Sequence, residues 1–360
     1  MSKSALMDRI LKNSPTKLAS VLSESVLFTE RDVIPTNLPI LNIAFSGSLE
    51  GGLAAGLTTF AGASKSFKTL LGLLCVKAYL DKYPEAICVF YDSEGGVTPE
   101  YLESNGIDTT RVVHVPIEHL EMLKFDMVKT LKEIERGDKV IMMIDSIGNT
   151  ASLKELEDAE HEKTVAEMQR AKVMKGLFRM VTPSFIKKDV PCICIAHTYQ
   201  TMEMFSRAVI SGGTGIMYSS NQAFIISKAQ EKDGTDLAGF KFTINIEKSR
   251  YVREKAKFPF VVKYGKGINK WSGLLDIALE SGHVVKPKNG RYSAVDMSTG
   301  EFNEKGVKED DTNSKEFWQP ILAEPSFNEY IKTRYALSGQ NFDEIDEEDT
   351  IDEVYQEEDE

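Results

Sequence analysis

The chain has 360 residues, 42% of them hydrophobic, and a formal net charge of -12. That length allows one large domain with attachments, or two domains of ordinary size, around a substantial core. No apolar run approaches the roughly 18 to 20 residues of a membrane span, and the amino terminus lacks the apolar stretch of a signal peptide, so we expect a soluble cytoplasmic protein.

The charge is unevenly spread. Twelve acidic residues and no basic one lie between Asp343 and Glu360, leaving 43 acidic against 43 basic residues in the rest of the chain. A balanced body of this kind can present a local basic surface, so nucleic acid is not excluded as a partner, and the tail reads as a solvated, disordered segment. Cys75, Cys88, Cys192 and Cys194 all stand in apolar surroundings without CxxC spacing, which indicates buried free thiols.

In chain order, the first 35 residues read as two short helices and a strand, with a helix start at Ser14 and Pro15 and extended chain over Val26 to Thr29. Short apolar runs then alternate with longer amphipathic stretches: Leu57 to Ala61, Ile87 to Tyr91, Val112 to Val115, Val140 to Ile144 and Cys192 to Ala196. Continuous apolar runs mark strands buried on both faces, as in a parallel sheet with helices above and below. The runs Phe224 to Ile226, Phe242 to Ile246 and Phe258 to Val262 follow without helices between them and predict an antiparallel extension. Beyond Gly265, a helix over Leu274 to Glu280 and an Asn289-Gly290 turn between extended residues predict a small α/β module.

The chemistry concentrates at strand ends. Gly62-Ala63-Ser64-Lys65-Ser66-Phe67-Lys68-Thr69 follows an apolar strand and opens an apolar helix, the context of a phosphate-binding P-loop. Backbone N–H groups and the helix dipole favour an anion there, Lys68 neutralises the β and γ phosphates of ATP, and the Thr69 hydroxyl suits Mg²⁺. Phe67 departs from the usual pattern, which has glycine at that position. Val140 to Asp145 is a strand closing on a carboxylate suited to a magnesium water shell. Glu94, after Ile87 to Asp92, reaches the same sheet edge and is a candidate general base.

These motifs, with Ile195-Ala196-His197, Gly212-Gly213-Thr214-Gly215 and Glu247-Lys248-Ser249-Arg250, resemble the RecA family of strand-exchange recombinases in order and spacing from about residue 20 to 340. Phenylalanine at position 67 is similar to the bacteriophage branch. The resemblance implies an α/β fold: a RecA-type P-loop ATPase core with a mixed, mainly parallel central sheet flanked by helices, plus the small C-terminal α/β module. It implies docking on an adjacent protomer by residues 1–35, an ATPase core over 36–265, the module over 266–342 and the acidic tail over 343–360.

Residue by residue, the resemblance assigns Lys68 and Thr69 to phosphate and metal, Glu94 to the base and Asp145 to the metal's water. Tyr101, after Thr98, matches the aromatic residue that stacks on adenine, and His197 stands where the family has a glutamine that senses the γ-phosphate. Lys248 and Arg250 match the pair that reaches a neighbour's ATP, though taken alone they also suit a solvated strand end.

DNA contact is expected from two loops. The first, near 152–164, is acidic, and the helix after it, with Val165, Met168, Ala171, Met174 and Phe178 as its apolar face, offers Arg170, Lys172, Lys175 and Arg179. A solvated or interface face is an equal reading of those cations. The second, near 198–215, offers Tyr199, Phe205, Arg207, Gly212 and Gly213 for sequence-neutral stacking. The expected activity is DNA-dependent ATP hydrolysis driving a helical filament on single-stranded DNA that exchanges strands with duplex, assisted by a single-stranded-DNA-binding protein and a mediator. A RecA-fold helicase or translocase, and a weakly hydrolysing ATP-binding paralogue, share these motifs. The acidic tail reads equally as a self-inhibitory or partner-recruiting segment and as a solubility tail.

Overall fold

Apolar strands that alternate their side chains between two helical layers form the spine of the molecule. The structure, a computed structural model, describes residues 4–29, 32–160, 168–201, 208–212, 214–233, 236–263 and 267–337. In chain order, α1 (Ala5–Asn13), α2 (Val26–Thr29), β1 (Val33–Ile34), α3 (Pro39–Ser46) and β2 (Leu53–Ala54) lead to β3 (Gly56–Gly62) and α4 (Lys68–Lys82). The alternation continues through β4 (Ile87–Asp92), α5 (Pro99–Ser104), β5 (Val112–Pro116), α6 (Leu120–Glu133), β6 (Val140–Asp145), α7 (Leu153–Glu160), α8 (Met168–Lys188) and β7 (Pro191–Gln200). Next come β8 (Ala208–Ile210), α9 (Thr214–Ser219), β9 (Gln222–Asp233), β10 (Asp236–Lys248), β11 (Lys257–Lys263) and β12 (Gly267–Ile268). The chain closes with α10 (Leu274–Glu280), β13 (Val284–Lys288), β14 (Arg291–Ala294), β15 (Val307–Lys308), α11 (Lys315–Ala323) and α12 (Pro325–Tyr335).

The main sheet has the order β12-β11-β10-β9-β3-β7-β6-β4-β5, with β8 paired to β7. Strands β9, β3, β7, β6, β4 and β5 are parallel, and β9 to β12 form the antiparallel extension. Successive residues of β6 face opposite layers: Ile141 and Met143 join a core with α3 and α4, while Val140, Met142 and Ile144 join one with α6 and α8. Burial on both faces is the reason the runs of β3, β4, β6 and β7 are continuously apolar, whereas β5 stands at the sheet edge with Val113 and His114 exposed, so the two-faced burial expected for Val112 to Val115 is not found. Trp318, Phe327 and Ile331 of the last two helices belong to the same cluster as Phe258 and Phe260, so the C-terminal elements share the core of the sheet.

Three local expectations are corrected. Ser14 ends a helix and does not begin one: α1 is capped by Ser4, whose hydroxyl accepts from the Met7 N–H at 3.2 Å, and Ser14 is extended with ψ 130. The following proline disfavours the helical region for Ser14 and stops the helix there. Val26–Thr29 is a helical turn, because the Ser25 carbonyl accepts from the N–H groups of Phe28 (2.9 Å) and Thr29 (3.0 Å) and outweighs the strand preference of its residues. On α8, Ala171 is exposed, and the apolar face instead runs through Met174, Leu177, Phe178, Val181 and Phe185; Val165 lies outside the described residues.

No helix among the described residues is long and apolar enough to cross a membrane. All four cysteines are buried and free, and burial pushes the Cys88 thiol up to about 12 and raises the other three as well. A disulfide reagent at about pH 8 should therefore leave the folded protein unmodified and label all four thiols after denaturation, since attack requires an accessible thiolate. Rapid labelling of the native protein would contradict this packing.

Candidate nucleotide site

Parallel strands align their carboxyl ends, and the register brings Gly62 opposite His197, and Asp92 opposite Asp145. Gly62 is required by close approach: a Cβ there would lie 2.7 Å from both the Ile226 carbonyl oxygen and the Ser66 hydroxyl. The loop then turns into α4 through two left-handed residues, Lys65 with φ 58 and Phe67 with φ 61. No side chain caps α4, so its first N–H groups remain available to an anion.

Phe67 answers the question its sequence position raises. A left-handed residue with a Cβ costs about 1–2 kcal/mol, but the ring packs on Phe242 at 4.7 Å between centroids, against the core. The ring is half-buried, so its burial stabilises by roughly half the 1.5–3 kcal/mol of a fully buried ring, with about 0.5–1.5 kcal/mol more for the aromatic pair. The side chain leaves the loop on its core side, away from the anion-binding N–H groups.

Beyond it, Lys68 is buried, and its Nζ donates to the Ala63 carbonyl at 2.8 Å and lies 3.5 Å from the Ser66 hydroxyl. Burial lowers the Lys68 ammonium below its ordinary range, with Asp145 and Glu94 opposing the shift. The Thr69 hydroxyl donates to Asp145 Oδ2 at 2.8 Å. Burial pushes the Asp145 carboxyl up to about 6, against the Thr69 hydrogen bond and with Glu94 and Asp92 adding to it. Hard oxygen donors gathered beside a carboxylate that burial has made reluctant to ionise fit a divalent cation, which would restore the charge.

Glu94 sits at the tip of the β4 loop. Asp92 Oδ1 accepts from the N–H groups of Glu94 (2.9 Å) and Gly95 (2.8 Å), which curls the loop, and Gly95 takes φ 63. The Glu94 carboxylate accepts from the Ser146 hydroxyl and from Asn149 Nδ2 at 3.2 Å, and lies 3.2 Å from His197 Nε2. Burial works to raise its pKa, but the hydrogen bonds from Ser146 and His197, with the charges of His197 and Lys68, outweigh it and hold the carboxyl below the usual range. It is therefore an anion at neutral pH. Ser93 ties the two strand ends together, donating to the Ser146 carbonyl at 2.7 Å.

These groups line one cavity of about 350 Å³, bounded by Ser64 to Leu70, Glu94, Tyr101, Asp145, Ile195 and His197. Tyr101 is 40% exposed at its mouth, on a helix whose first turn is capped by Thr98.

The family model for the RecA N-terminal domain matches residues 19–269, and one described as "Bacteriophage T4, Recombination and repair protein, C-terminal domain" matches residues 271–331. The chain belongs to the RecA family. It is 52% identical to the "Recombination and repair protein" of Enterobacteria phage T4 over 346 residues, 95% of this chain and 88% of that one. It is 28% identical to "Protein RecA" of Chlorobaculum tepidum over 73% of this chain and 75% of that protein, and 26% identical to "Protein RecA" of Streptomyces avermitilis over 71% and 66%. The protein is thus a strand-exchange recombinase of the UvsX type and a DNA-dependent ATPase that binds DNA and forms filaments.

Other groups singled out from the sequence lie apart from the cavity in this RecA-family chain. Lys248 pairs with Ala223, and Ala223 with Thr59, three residues before the strand end at Gly62. Its Nζ donates to the carbonyls of Met217 (2.7 Å) and Tyr218 (3.1 Å), and burial followed by the Arg250 charge lowers its pKa. Lys172, Lys175 and Arg179 are exposed on α8, whereas Arg170 donates to main-chain carbonyls. The first expected DNA loop is helical over Leu153–Glu160, because Ser152 and Glu155 form a reciprocal cap; its remainder, 161–164, lies outside the described residues. In the second, Tyr199 is exposed on a β7–β8 hairpin and Gly212 takes φ 110, while Phe205, Arg207 and Gly213 lie outside the described residues.

Sequence reasoning gave no role to Asp92, Ser93, Ser146 or Asn149. The first three flank strand-end carboxylates and were open to notice. Asn149 carried no sequence signal. For Phe67→Gly, lost ring burial should exceed the relieved backbone strain, so we expect a destabilisation of about 1 kcal/mol in guanidinium titration with ATP affinity nearly unchanged. Stabilisation by the glycine would show that the Phe242 contact contributes little.

Proposed function

We propose that Glu94 orients and deprotonates the water that attacks the γ-phosphate of ATP during DNA-stimulated hydrolysis. The observation that carries this reading is the shared cavity: Glu94, fixed by Ser146, Asn149 and His197, opens on the same space as Lys68 and Thr69. Lys68 would leave the Ala63 carbonyl for the phosphates, and the loop N–H groups would hold them in line for attack. Thr69 would hold Mg²⁺ directly and Asp145 through water; when bound, the ion neutralises phosphate charge. Tyr101 would stack on the adenine. His197, bonded to Glu94, would report the γ-phosphate to the chain that follows it, which leads into the second DNA loop.

Lys248 and Arg250 would act on a neighbour's nucleotide. Support comes from register: three residues at about 3.3 Å each put Lys248 roughly 10 Å below the carboxyl edge and two strands away from β3, with Arg250 farther on. A site completed in trans makes hydrolysis depend on the filament. Residues 1–35 would dock adjacent protomers, and Lys172, Tyr199, Phe205, Arg207, Gly212 and Gly213 would line the DNA path. A single-stranded-DNA-binding protein and a mediator are the proposed partners, and the 343–360 tail, outside the described residues, is a proposed electrostatic competitor of DNA.

Two measurements test the proposal. Joint-molecule formation between homologous single-stranded and duplex DNA should require ATP and magnesium. In Glu94→Gln, filament assembly on single-stranded DNA with ATP should persist in electron micrographs while turnover falls roughly 10²- to 10⁴-fold, the range for loss of a general base. Full turnover in that variant would move the base elsewhere.

A further inference from the structure

Arg170 was expected to meet DNA phosphate, yet its guanidinium is engaged inside the fold. From the start of α8, its Nε donates to the Thr150 carbonyl at 2.9 Å and its Nη2 to the Ile147 carbonyl at 3.1 Å and to the Gly148 carbonyl. Three carbonyls of one turn thus converge on one rigid, planar donor fork, which a lysine cannot reproduce. The residue enclosed by those carbonyls is Asn149.

That turn has no slack on its other side. The Ile147 N–H donates to the Ile195 carbonyl at 3.0 Å, and a Cβ added at Gly148 would lie 2.9 Å from His197 Cδ2 and 2.9 Å from the Ser211 hydroxyl. Asn149 itself is exposed, and its side-chain amide lies 3.2 Å from both Glu94 Oε1 and His197 Nε2. The turn is therefore held between Arg170 and β7, with Asn149 presented to the carboxylate and the imidazole together.

We infer that Arg170 is a positioning residue for hydrolysis: it fixes the 147–150 turn so that the Asn149 amide, donating to Glu94, holds that carboxylate beside His197. The inference rests on the reading of Glu94 as the base. Loss of the fork leaves carbonyls without their charged donor, loosens the turn, and lets the Glu94 carboxylate leave its hydrolytic position without touching the phosphate-binding loop. A misplacement of about 1 Å costs up to 10²-fold in rate.

The test uses the full chain with saturating oligothymidine, comparing wild type, Arg170→Ala, Arg170→Lys, Asn149→Ala and the Arg170→Ala/Asn149→Ala pair. For Arg170→Ala, Arg170→Lys and Asn149→Ala we expect kcat to fall about tenfold with KM for ATP within about twofold, and the double variant to be no worse than either alanine variant. The salt dependence of oligothymidine affinity, read by fluorescence anisotropy, should keep its slope in Arg170→Ala. A slope smaller by about 0.7, with kcat restored at saturating DNA, would make Arg170 a phosphate contact and overturn the inference. Wild-type kcat in Arg170→Lys would overturn it too, since charge without the fork would then suffice. Should Arg170→Ala fail to fold, Arg170→Lys and the exposed Asn149→Ala carry the decision. Glu94→Gln separates the two levels: full turnover in it removes the base assignment and this inference together, whereas an inactive Glu94→Gln beside normal Arg170 and Asn149 variants removes the inference alone.

Discussion

Strands buried on both faces have no side chains to spare for chemistry along their length, so reactive groups can leave such a sheet only at its ends. In this chain the parallel register of β3, β7, β6 and β4 aligns those ends, and Gly62, His197, Asp145 and the Asp92–Glu94 turn meet because of it. Brought together there, the groups form a concave site outside the carboxyl edge, where open α/β sheets bind ligands. The antiparallel extension of the same sheet carries Lys248 and Arg250 away from that edge. At that far end Lys248 donates to the carbonyls of Met217 and Tyr218, well away from the cavity.

The P-loop shows how a local conflict is resolved by tertiary contact. Two residues with Cβ atoms, Lys65 and Phe67, occupy left-handed backbone that glycine would accept freely. At Phe67 the ring contact with Phe242 is of the same size as the backbone cost or larger. The loop keeps the first N–H groups of α4 free of side-chain caps and gains an anchor in the core.

Burial and hydrogen bonding act in opposite directions on the two carboxylates of the site. Asp145 is dominated by burial and is held near the threshold of ionisation, whereas Glu94 is half-exposed and receives donors from Ser146, Asn149 and His197. The first environment favours an arriving cation and the second a standing anion. Lys68 sits between them, its own charge disfavoured by burial and supported by both.

From the sequence alone, the strand runs, their parallel core and antiparallel extension, the P-loop and the strand-end carboxylates were legible. Burial on two faces writes itself as continuous apolar sequence, and strand ends are local. The boundaries near Ser14 and Val26 to Thr29 were not, because capping and proline geometry compete with propensity over a few residues. The partners of side chains that meet across the fold were also hidden: Asn149 and Arg170 look like a loop amide and a surface cation until α8 is laid beside the turn after β6. Their roles depend on which carbonyls and carboxylates the packing brings within 3.2 Å, a distance no spacing along the chain encodes.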